Sequence, residues 1–278
     1  MSRIKVLIPF QAPFPAVALL WSLIAFHPVS VWSNDNAFEE VSGGFAEAVI
    51  SDYRLHYSKE KLTHLALVLG LTGVVANTEA DLEFRDYYQK NIRSDQGDHV
   101  MDAFDSIGDA SIPRYSVAIY LGAALLGGQL ENAGEKSKLR EWGVGAFRAL
   151  LLGAPQRTLL ARATGSGRPT EGDSHWRFFD DNNGVSGHAF YGAVPFITAA
   201  NMADSRALKH SLYAASILPG LARINNDKHY LSQVVLGWSL AYMAGDTVAR
   251  TRAEKAARVS VLPVSVPGGV ELVVQVDW

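Results

Sequence analysis

The chain has 278 residues, of which 48% are hydrophobic, so it is long enough to bury a sizeable core in one large domain or two small ones. Its formal net charge of −3 gives no basic field, which argues against nucleic acid as a partner and leaves any anionic ligand to be held by local arginines. The absence of cysteine excludes disulfides, a thiolate nucleophile and zinc–cysteine sites.

Residues 1–33 have the pattern of a secretory signal peptide. Basic residues at positions 3 and 5 precede an apolar run over 16–26, and the small Ser33 stands at the cleavage position. Val31 is larger than the alanine that is usual near such a site, so an uncleaved membrane anchor is the alternative. The pattern predicts an exported protein that is periplasmic, or membrane-associated and facing the periplasm.

Six apolar stretches after this segment predict the core helices of a compact all-α bundle over residues 34–258. Each stretch is shorter than the roughly 20 residues that a membrane span needs. A polar run over 77–114 separates the first two and predicts a surface excursion or a cap of short helices. The six stretches are 65–76, 116–128, 142–154, 188–200, 211–222 and 234–245.

The C-terminal residues 259–278 predict a short β-hairpin appended to the helical domain. Apolar residues alternate with mostly polar ones over 270–278, which is the period of a half-buried strand. The sequence Pro-Gly-Gly at 267–269 supplies the turn between this strand and the apolar run before it.

Three short polar stretches interrupt the apolar ones and carry the side chains capable of chemistry. Together they contribute arginines, two histidines and a Ser-Gly loop, the composition of an oxyanion or phosphate cradle with acid–base groups attached. The stretches are ATGSGRP (163–169), VSGH (185–188) and ARINNDKHYLSQ (222–233).

In the third stretch, His229 and Gln233 are four residues apart, so they share one face of a helix and their side chains can meet. The polar residues 225–227 are candidates for the cap of that helix. We therefore expect His229 in the first turn of a helix, where the backbone N–H groups favour an anion.

In order and spacing, these stretches resemble the type 2 phosphatidic acid phosphatase superfamily, which also contains the vanadium-dependent haloperoxidases. That family carries a lysine followed after six residues by Arg-Pro, then Pro-Ser-Gly-His, then Ser-Arg, five residues, His, three residues and Asp. The resemblance covers about residues 60–248. The matching positions are Arg168-Pro169, Ser186-Gly187-His188, and Arg223 with His229.

The resemblance implies a metal-independent hydrolase of phosphomonoesters or pyrophosphates, including lipid phosphates, that forms a phosphohistidine and needs no cofactor. It assigns the attack on phosphorus to His229 and the protonation of the leaving oxygen to His188. It also implies that the substrate phosphate is held by Arg168, Arg223, Ser186 and Gly187.

Two departures from the family pattern bear on chemistry. Ala161 stands where the family has its lysine, and Gln233 replaces the aspartate behind the nucleophile. Arg162 is the nearest replacement for the lysine, although adjacent helical residues point about 100° apart; Arg157 and Lys228 are weaker candidates. Two milder departures are Val185 for proline and Ala222 for serine.

Gln233 can accept a hydrogen bond from Nδ1–H of His229, which keeps the attacking tautomer, but it cannot neutralise charge that grows on the ring. With its amide turned the other way it would favour the wrong tautomer. Asp227, Asp180 and Asp181 are alternative sources of a carboxylate, against a simpler role in capping or in a solvated loop.

Other functions stay open at this point. Loss of the lysine and the aspartate favours a phosphate-binding relative with weak or no turnover, and a vanadium-dependent haloperoxidase is a further alternative. The substrate would be a phosphorylated small molecule or a lipid, and a peripheral membrane contact is compatible with either. Between the first two motifs, three aromatic residues would line an apolar substrate entrance or pack ordinarily; they are Trp176, Phe178 and Phe179.

Overall fold

A computed structural model describes residues 35–110, 113–130, 137–257, 259–266 and 269–276, with side chains over 44–109, 115–130 and 137–256. The chain divides into two units, residues 1–45 and 46–278, and every helix after the first lies in the second unit. The signal peptide predicted over 1–33 lies outside the described residues.

The described chain is predominantly α-helical, which confirms the prediction of a helical bundle. The helices are α1 (Asp35–His56), α2 (Lys59–Ala76), α3 (Ala80–Asn91), α4 (Asp95–Ala110), α5 (Pro113–Gln129), α6 (Lys138–Thr164), α7 (Gly187–Asn201), α8 (Arg206–Ala215), α9 (Leu218–Asn225) and α10 (Leu231–Ala257).

Helices α6, α7 and α10 pack against one another in the centre of the bundle. Glycines allow this close approach: a Cβ on Gly237 of α10 would lie 2.5 Å from the carbonyl oxygen of Ser186, just before α7. A Cβ on Gly153 of α6 would likewise lie 2.5 Å from the ring of Phe190 on α7. Since such contacts are far too short, glycine is required, and the second and third motifs are held side by side.

The polar run over 77–114 contains two whole helices, α3 and α4, as the prediction of short helices allowed. Helix α4 packs against α9 and α7, and α3 contacts the ends of α9 and α10. This cap therefore lies over the two helices that carry the second and third motifs, rather than on a remote surface.

The apolar stretch 211–222, predicted as one core helix, is divided into the end of α8 and the start of α9. Pro219 causes the division, because it has no N–H to donate and its ring would clash with the carbonyl four residues earlier in a continuous helix. In the first turn of α9, where N–H groups have no helical partner, proline is tolerated.

Helix α2 buries only Lys61, Thr72 and Ala76 and exposes several of its large apolar residues, so the prediction of a buried core helix over 65–76 holds only in part. The buried Lys61 donates to Asp246 of α10 at 2.5 Å, while Leu67, Leu71 and Val74 are 60–70% exposed. Over the described residues, no helix by itself is both long and apolar enough to cross a bilayer, whereas α2 and α3, bent by 70°, meet that criterion as a pair.

A buried polar cluster joins α1, α6 and α10 away from the three motifs. Arg148 of α6 donates two hydrogen bonds of 2.7 Å to Asp52 of α1, and a third of 3.1 Å to Thr251 of α10. His56 lies between Gln156 and Thr247, at 3.0 and 3.3 Å. Because breaking a buried ion pair costs about 3–5 kcal/mol, this cluster fixes how α1 docks on the bundle.

Residues 259–266 and 269–276 are assigned as antiparallel strands β1 (Val259–Val266) and β2 (Gly269–Val276), with Val259 opposite Val276. Their side chains and the connecting residues 267–268 lie outside the described part of the chain. The hairpin over 259–278 therefore stays a prediction.

Candidate active site

The three motifs converge on one pocket of about 280 Å³. It opens between the C-terminal half of α6, the N-terminus of α7, the end of α9 and the turn before α10. Both predicted histidines and four arginines line it. The lining residues are Arg157, Thr158, Ala161, Arg162, Arg168, Asn182, Asn183, Gly187, His188, Arg223 and His229.

Helix α6 ends where the first motif begins, and the end is fixed by Gly165. This residue has φ 58°, in the left-handed region that glycine adopts without strain, and a Cβ there would overlap the carbonyl of Arg177. The chain then turns, and Arg168 precedes a short 3₁₀ helix over Pro169–Glu171. The backbone N–H of Arg168 donates to the Glu171 side chain at 2.7 Å, so this contact does not involve the guanidinium, and Arg168 lines the pocket.

The guanidinium of Arg168 is oriented by Asn183, which accepts a 3.0 Å hydrogen bond from Arg168 Nε. Asn183 is held in turn because its Nδ2 donates to Asp181 at 2.6 Å. The pair Asp180-Asp181, considered as a carboxylate source for His229, therefore contributes through Asp181 to the placement of Arg168.

His229 lies two residues before α10, not within its first turn as expected from the sequence. Residues 225–227 end α9 and form a turn, in which Asp227 has φ 53°, so they do not cap α10. Asp227 instead receives two 2.6 Å hydrogen bonds from Arg85 of α3. The expectation was wrong because the polar run was assigned to the following helix, whereas it closes the preceding one.

Gln233 meets His229 as predicted, and its amide orientation is determined by its other neighbours. Its Nε2 donates to the carbonyl oxygen of Gly167 at 2.6 Å and to Ser166 Oγ at 2.9 Å, while its Oε1 accepts from the backbone N–H of Tyr230 at 3.2 Å. A carbonyl can only accept and an N–H can only donate, so the amide cannot be turned round.

The fixed amide selects the tautomer of His229. Gln233 Oε1 lies 2.7 Å from Nδ1 of the ring, so Nδ1 carries the proton and donates it. The lone pair is then on Nε2. The ring lines the pocket, and this is the tautomer that a nucleophilic imidazole requires.

Burial keeps this imidazole neutral. His229 is only 6% exposed, and burial, reinforced by the nearby guanidinium groups of Arg223, Arg168 and Arg157, lowers the pKa of His229 to about 3 despite the hydrogen bond to Gln233, which acts in the opposite direction. The nucleophilic form is therefore present at any pH at which the protein would ordinarily work.

Arg223 closes the third motif at the end of α9. Its Nη1 donates to both oxygens of Asp105 on α4, at 2.8 and 3.0 Å. Its buried Nε has no hydrogen-bond acceptor among the described residues. One edge of this guanidinium is therefore bound to α4, and the other carries a buried donor that is unpaired in the described part of the chain.

Of the arginines considered as replacements for the lysine of the resembled family, Arg157 lies on the same face of α6 as Ala161, and Arg162 does not. Arg157 lies four residues before Ala161, whereas Arg162 is turned by about 100°. Its Nη2 donates to the carbonyl oxygen of Val185 at 2.6 Å, and its buried Nε has no acceptor in the described part of the chain. Arg162 also lines the pocket, but Lys228 is exposed and does not.

Ser186 and Gly187 are placed differently from each other. The hydroxyl of Ser186 is fully buried and caps α7 by accepting from the backbone N–H of Ala189 at 3.3 Å, and it does not line the pocket. Gly187 does line it, where a Cβ would lie 3.5 Å from Nη2 of Arg157. The structure thus gives Ser186 a capping role and brings Gly187 to the site.

His188 is the second residue of α7, and its ring lies directly against α4. Its Nε2 lies 2.8 Å from Asp109 Oδ1 and 3.9 Å from Asp105 Oδ1. Burial and the charge of Arg223 lower the pKa of His188, while the two carboxylates act in the opposite direction. None of the three motifs pointed to these aspartates, although their spacing along 95–110 is a readable signal.

Between the first two motifs, Trp176 packs on α2, with its ring 3.1 Å from where a Cβ of Gly73 would lie. Phe178 and Phe179 do not pack and are 74% and 72% exposed. Phe179 has φ 65°, and its N–H donates to the carbonyl oxygen of pocket-lining Arg162 at 3.0 Å. Phe179 is thus fixed near the pocket in a strained backbone conformation, and Phe178 precedes it in the chain.

Among the described residues, no group of three or more His, Asp or Glu side chains is arranged to hold a metal ion. The charge in the pocket is carried by guanidinium groups. In comparisons with known proteins, no family model, no curated protein and no solved structure matches this chain.

Proposed function

We propose that the protein is a metal-independent phosphohydrolase of the type 2 phosphatidic acid phosphatase kind, acting on phosphomonoesters or pyrophosphates. The observation that carries this proposal is the pocket that two imidazoles share with two buried, unpartnered guanidinium donors, Arg157 Nε and Arg223 Nε. Buried donors without acceptors are rare, and an anion in this pocket would supply the acceptors.

In the first step, the Nε2 lone pair of His229 attacks phosphorus while the bond from phosphorus to the leaving oxygen breaks. His188, in its imidazolium form, gives a proton to that oxygen, so the alcohol or phosphate leaves neutralised by one proton. Arg157, Arg168 and Arg223 hold the nonbridging oxygens, whose charge they balance throughout. The product on the enzyme is a phosphohistidine at Nε2 of His229.

In the second step, water attacks the phosphohistidine from the side that the leaving group has vacated. His188, now neutral, takes a proton from the water, and the bond between phosphorus and Nε2 breaks. Inorganic phosphate leaves, His229 is again neutral, and His188 is again protonated. Gln233 supports both steps by holding Nδ1–H, so that Nε2 is the reacting nitrogen.

A substrate that carries an apolar group, such as a lipid phosphate, is supported by exposed apolar residues on the loop beside the pocket and on α2. Phe178 and Phe179 stand exposed on a loop bound to Arg162, and α2 exposes Leu67, Leu71 and Val74. Exposed apolar patches mark interaction sites, including membrane contacts. Replacing both phenylalanines by serine is expected to lower kcat/KM about tenfold on lipid phosphate in micelles, but not on inorganic pyrophosphate.

Export to the periplasm is proposed on the strength of the basic residues and apolar run within 1–33. N-terminal sequencing of the protein recovered from a periplasmic fraction tests it. A chain that begins near residue 34 supports cleavage, and a chain retained intact in the membrane fraction supports the anchor.

The proposed activity is tested by phosphate release from a panel of phosphomonoesters, pyrophosphates and lipid phosphates, with His229→Ala alongside the wild-type protein. Release that the variant loses, together with a trapped phosphohistidine, supports the proposal. Tight binding of phosphate or vanadate with neither release nor phosphoenzyme would identify a binding protein instead. Halide oxidation with added vanadate would identify a haloperoxidase.

A further inference from the structure

Helix α4 carries a row of four aspartates on one face, and every one of them contacts a residue of the second or third motif. Their spacing, 98, 102, 105 and 109, repeats at three and four residues, so they lie along a single stripe. At one end of the row, Asp98 accepts from Asn225 Nδ2 at 2.7 Å and Asp102 accepts from Asn226 Nδ2 at 3.4 Å. These contacts dock α4 on the end of α9.

The other end of the row reaches the residues that would do the chemistry. Asp105 accepts two hydrogen bonds from Nη1 of Arg223, and Asp109 Oδ1 lies 2.8 Å from Nε2 of His188. A distance of 2.8 Å is that of a strong, charge-assisted hydrogen bond when the imidazole is protonated. The docking of α4 therefore sets where the Asp109 carboxylate meets the ring.

The ring of His188 is turned with one edge toward α4. A Cβ added to Gly108 would lie 2.5 Å from Cδ2 of His188, so this glycine allows the ring to approach the helix. Because Cδ2 and Nε2 are adjacent ring atoms, that edge faces α4. Nδ1 lies on the opposite edge, and it has no hydrogen-bond partner in the part of the chain that the structure describes.

We propose that Asp109 is the positioning residue of the general acid: it holds Nε2–H of His188, so that the proton delivered to the leaving oxygen is the one on Nδ1. The proposal rests on the proposed phosphohydrolase function. The proton lost from Nδ1 in the first step is regained there from water in the second, and Asp109 stays ionised throughout. Asp105 supports this arrangement by fixing Arg223 beside the same ring.

The charged groups that face His188 determine in which direction its pKa should move when Asp109 loses its charge. Asp105 and Asp109 of α4 favour the imidazolium form, whereas burial and Arg223 of α9 oppose it, as do the guanidinium groups of Arg157, Arg162 and Arg168 across the pocket. The side chain of Asp109 is 69% exposed, so its influence is moderated by solvent. Removing its charge is expected to lower the titration midpoint of His188 by about one pH unit.

The experiment measures the titration of His188 in the full-length protein by NMR of labelled histidine, together with the pH profile of kcat/KM. The resonance is assigned with His188→Asn. The variants are Asp109→Asn, Asp109→Glu as the conservative replacement, and Asp204→Asn as a matched control, since Asp204 forms an exposed ion pair with Lys138 on the surface.

For Asp109→Asn we expect the titration midpoint of His188 and the falling limb of kcat/KM to move together to lower pH, with kcat at pH 7 reduced about tenfold. Asp109→Glu should restore most of the difference, and Asp204→Asn should match the wild type. A merely structural role of Asp109 would not move the midpoint and the limb together.

The proposal is overturned if Asp109→Asn leaves both the titration midpoint of His188 and the falling limb of the kcat/KM profile unchanged. It is also overturned if that variant raises kcat/KM or phosphate affinity, because Asp109 would then be blocking the pocket. If the wild-type protein releases no phosphate from any substrate, the proposed function fails, yet the NMR midpoint of His188 still decides whether Asp109 holds the ring.

Discussion

The two histidines line the same pocket but have opposite kinds of partner. His229 is buried against the neutral amide of Gln233, whereas His188 meets the partly exposed carboxylate of Asp109. A neutral partner fixes a tautomer without stabilising charge, and a carboxylate stabilises the imidazolium form. The partners therefore suit one ring to attack as a neutral base and the other to carry a proton.

This division differs from the family pattern, in which an aspartate stands behind the attacking histidine. At position 233 a carboxylate would face the carbonyl oxygen of Gly167 and would lose the two hydrogen bonds that the amide donates. Glutamine satisfies this buried site because it both donates and accepts. The carboxylates of this pocket, Asp105 and Asp109, lie near His188 and not near His229.

The strongest test of this comparison is His229→Ala. Removing the nucleophile should lower kcat by about 10⁴-fold and abolish the phosphohistidine, measured by phosphate release and by trapping of the phosphoenzyme. His210→Ala, an exposed histidine on α8, is the matched control and should match the wild type. A phosphoenzyme that survives in His229→Ala would place the nucleophile elsewhere.

Next in size is the effect of His188→Asn, which should lower kcat by about 10³-fold through loss of the general acid. In the wild type, kcat/KM should fall as pH rises through the pKa of His188, which burial holds below its ordinary value. In His188→Asn this fall of kcat/KM with pH should disappear. Any pH dependence that remains in the variant then reports the ionisation of the substrate itself.

The pH profile of kcat/KM also distinguishes the behaviour of His229 from that of His188. With the pKa of His229 at about 3, that ring stays neutral above about pH 4, so kcat/KM should show no rising limb there. The phosphate of a monoester substrate itself titrates near pH 6, so a rising limb between pH 5 and 7 that the substrate's own titration does not explain would mean that His229 titrates in that range, and the contrast between the rings would be lost.

Gln233→Leu is expected to lower kcat by about 10²-fold, because the ring of His229 loses the acceptor that fixes its tautomer. It should also lower the free energy of unfolding by about 3 kcal/mol, since Ser166, Gly167 and Tyr230 lose buried hydrogen bonds. Phosphate release measures the loss of kcat, and urea denaturation measures the loss of stability. Loss of stability with full activity would show that the tautomer needs no fixing.

The smallest expected effect distinguishes the two candidates for the missing lysine. Arg157→Ala should weaken phosphate or vanadate binding about 30-fold, because it removes a buried donor aimed at the anion. Arg162→Ala should weaken it by less, since that side chain lies on another face of α6 and has no buried, unpaired donor among the described residues. Competitive inhibition by phosphate measures both, and a larger loss in Arg162→Ala would reverse the assignment.

Much of the helical fold follows from the lengths and spacing of the apolar stretches, but their burial does not. The stretch 65–76 of α2 is apolar like those in α7 and α10, yet it exposes Leu71, while the same helix buries Lys61. The reason is the partner carboxylate of Asp246 on α10, which the sequence of α2 cannot reveal. Pro219 is a breaker that the sequence does show, and its effect on 211–222 was underestimated.

The sequence by itself determined the chemistry: two imidazoles and several guanidinium groups in three short motifs, with Gln233 within reach of His229 because residues four apart on a helical turn are neighbours. Only the tertiary structure decided which way the Arg157 guanidinium and the amide of Gln233 are held, and that Asp109 meets His188 from 79 residues away. The physical reason is the separation of the contacting residues along the chain. Local spacing fixes contacts within one turn of helix, whereas the approach of α4 to α7 and α9 depends on packing across the whole bundle.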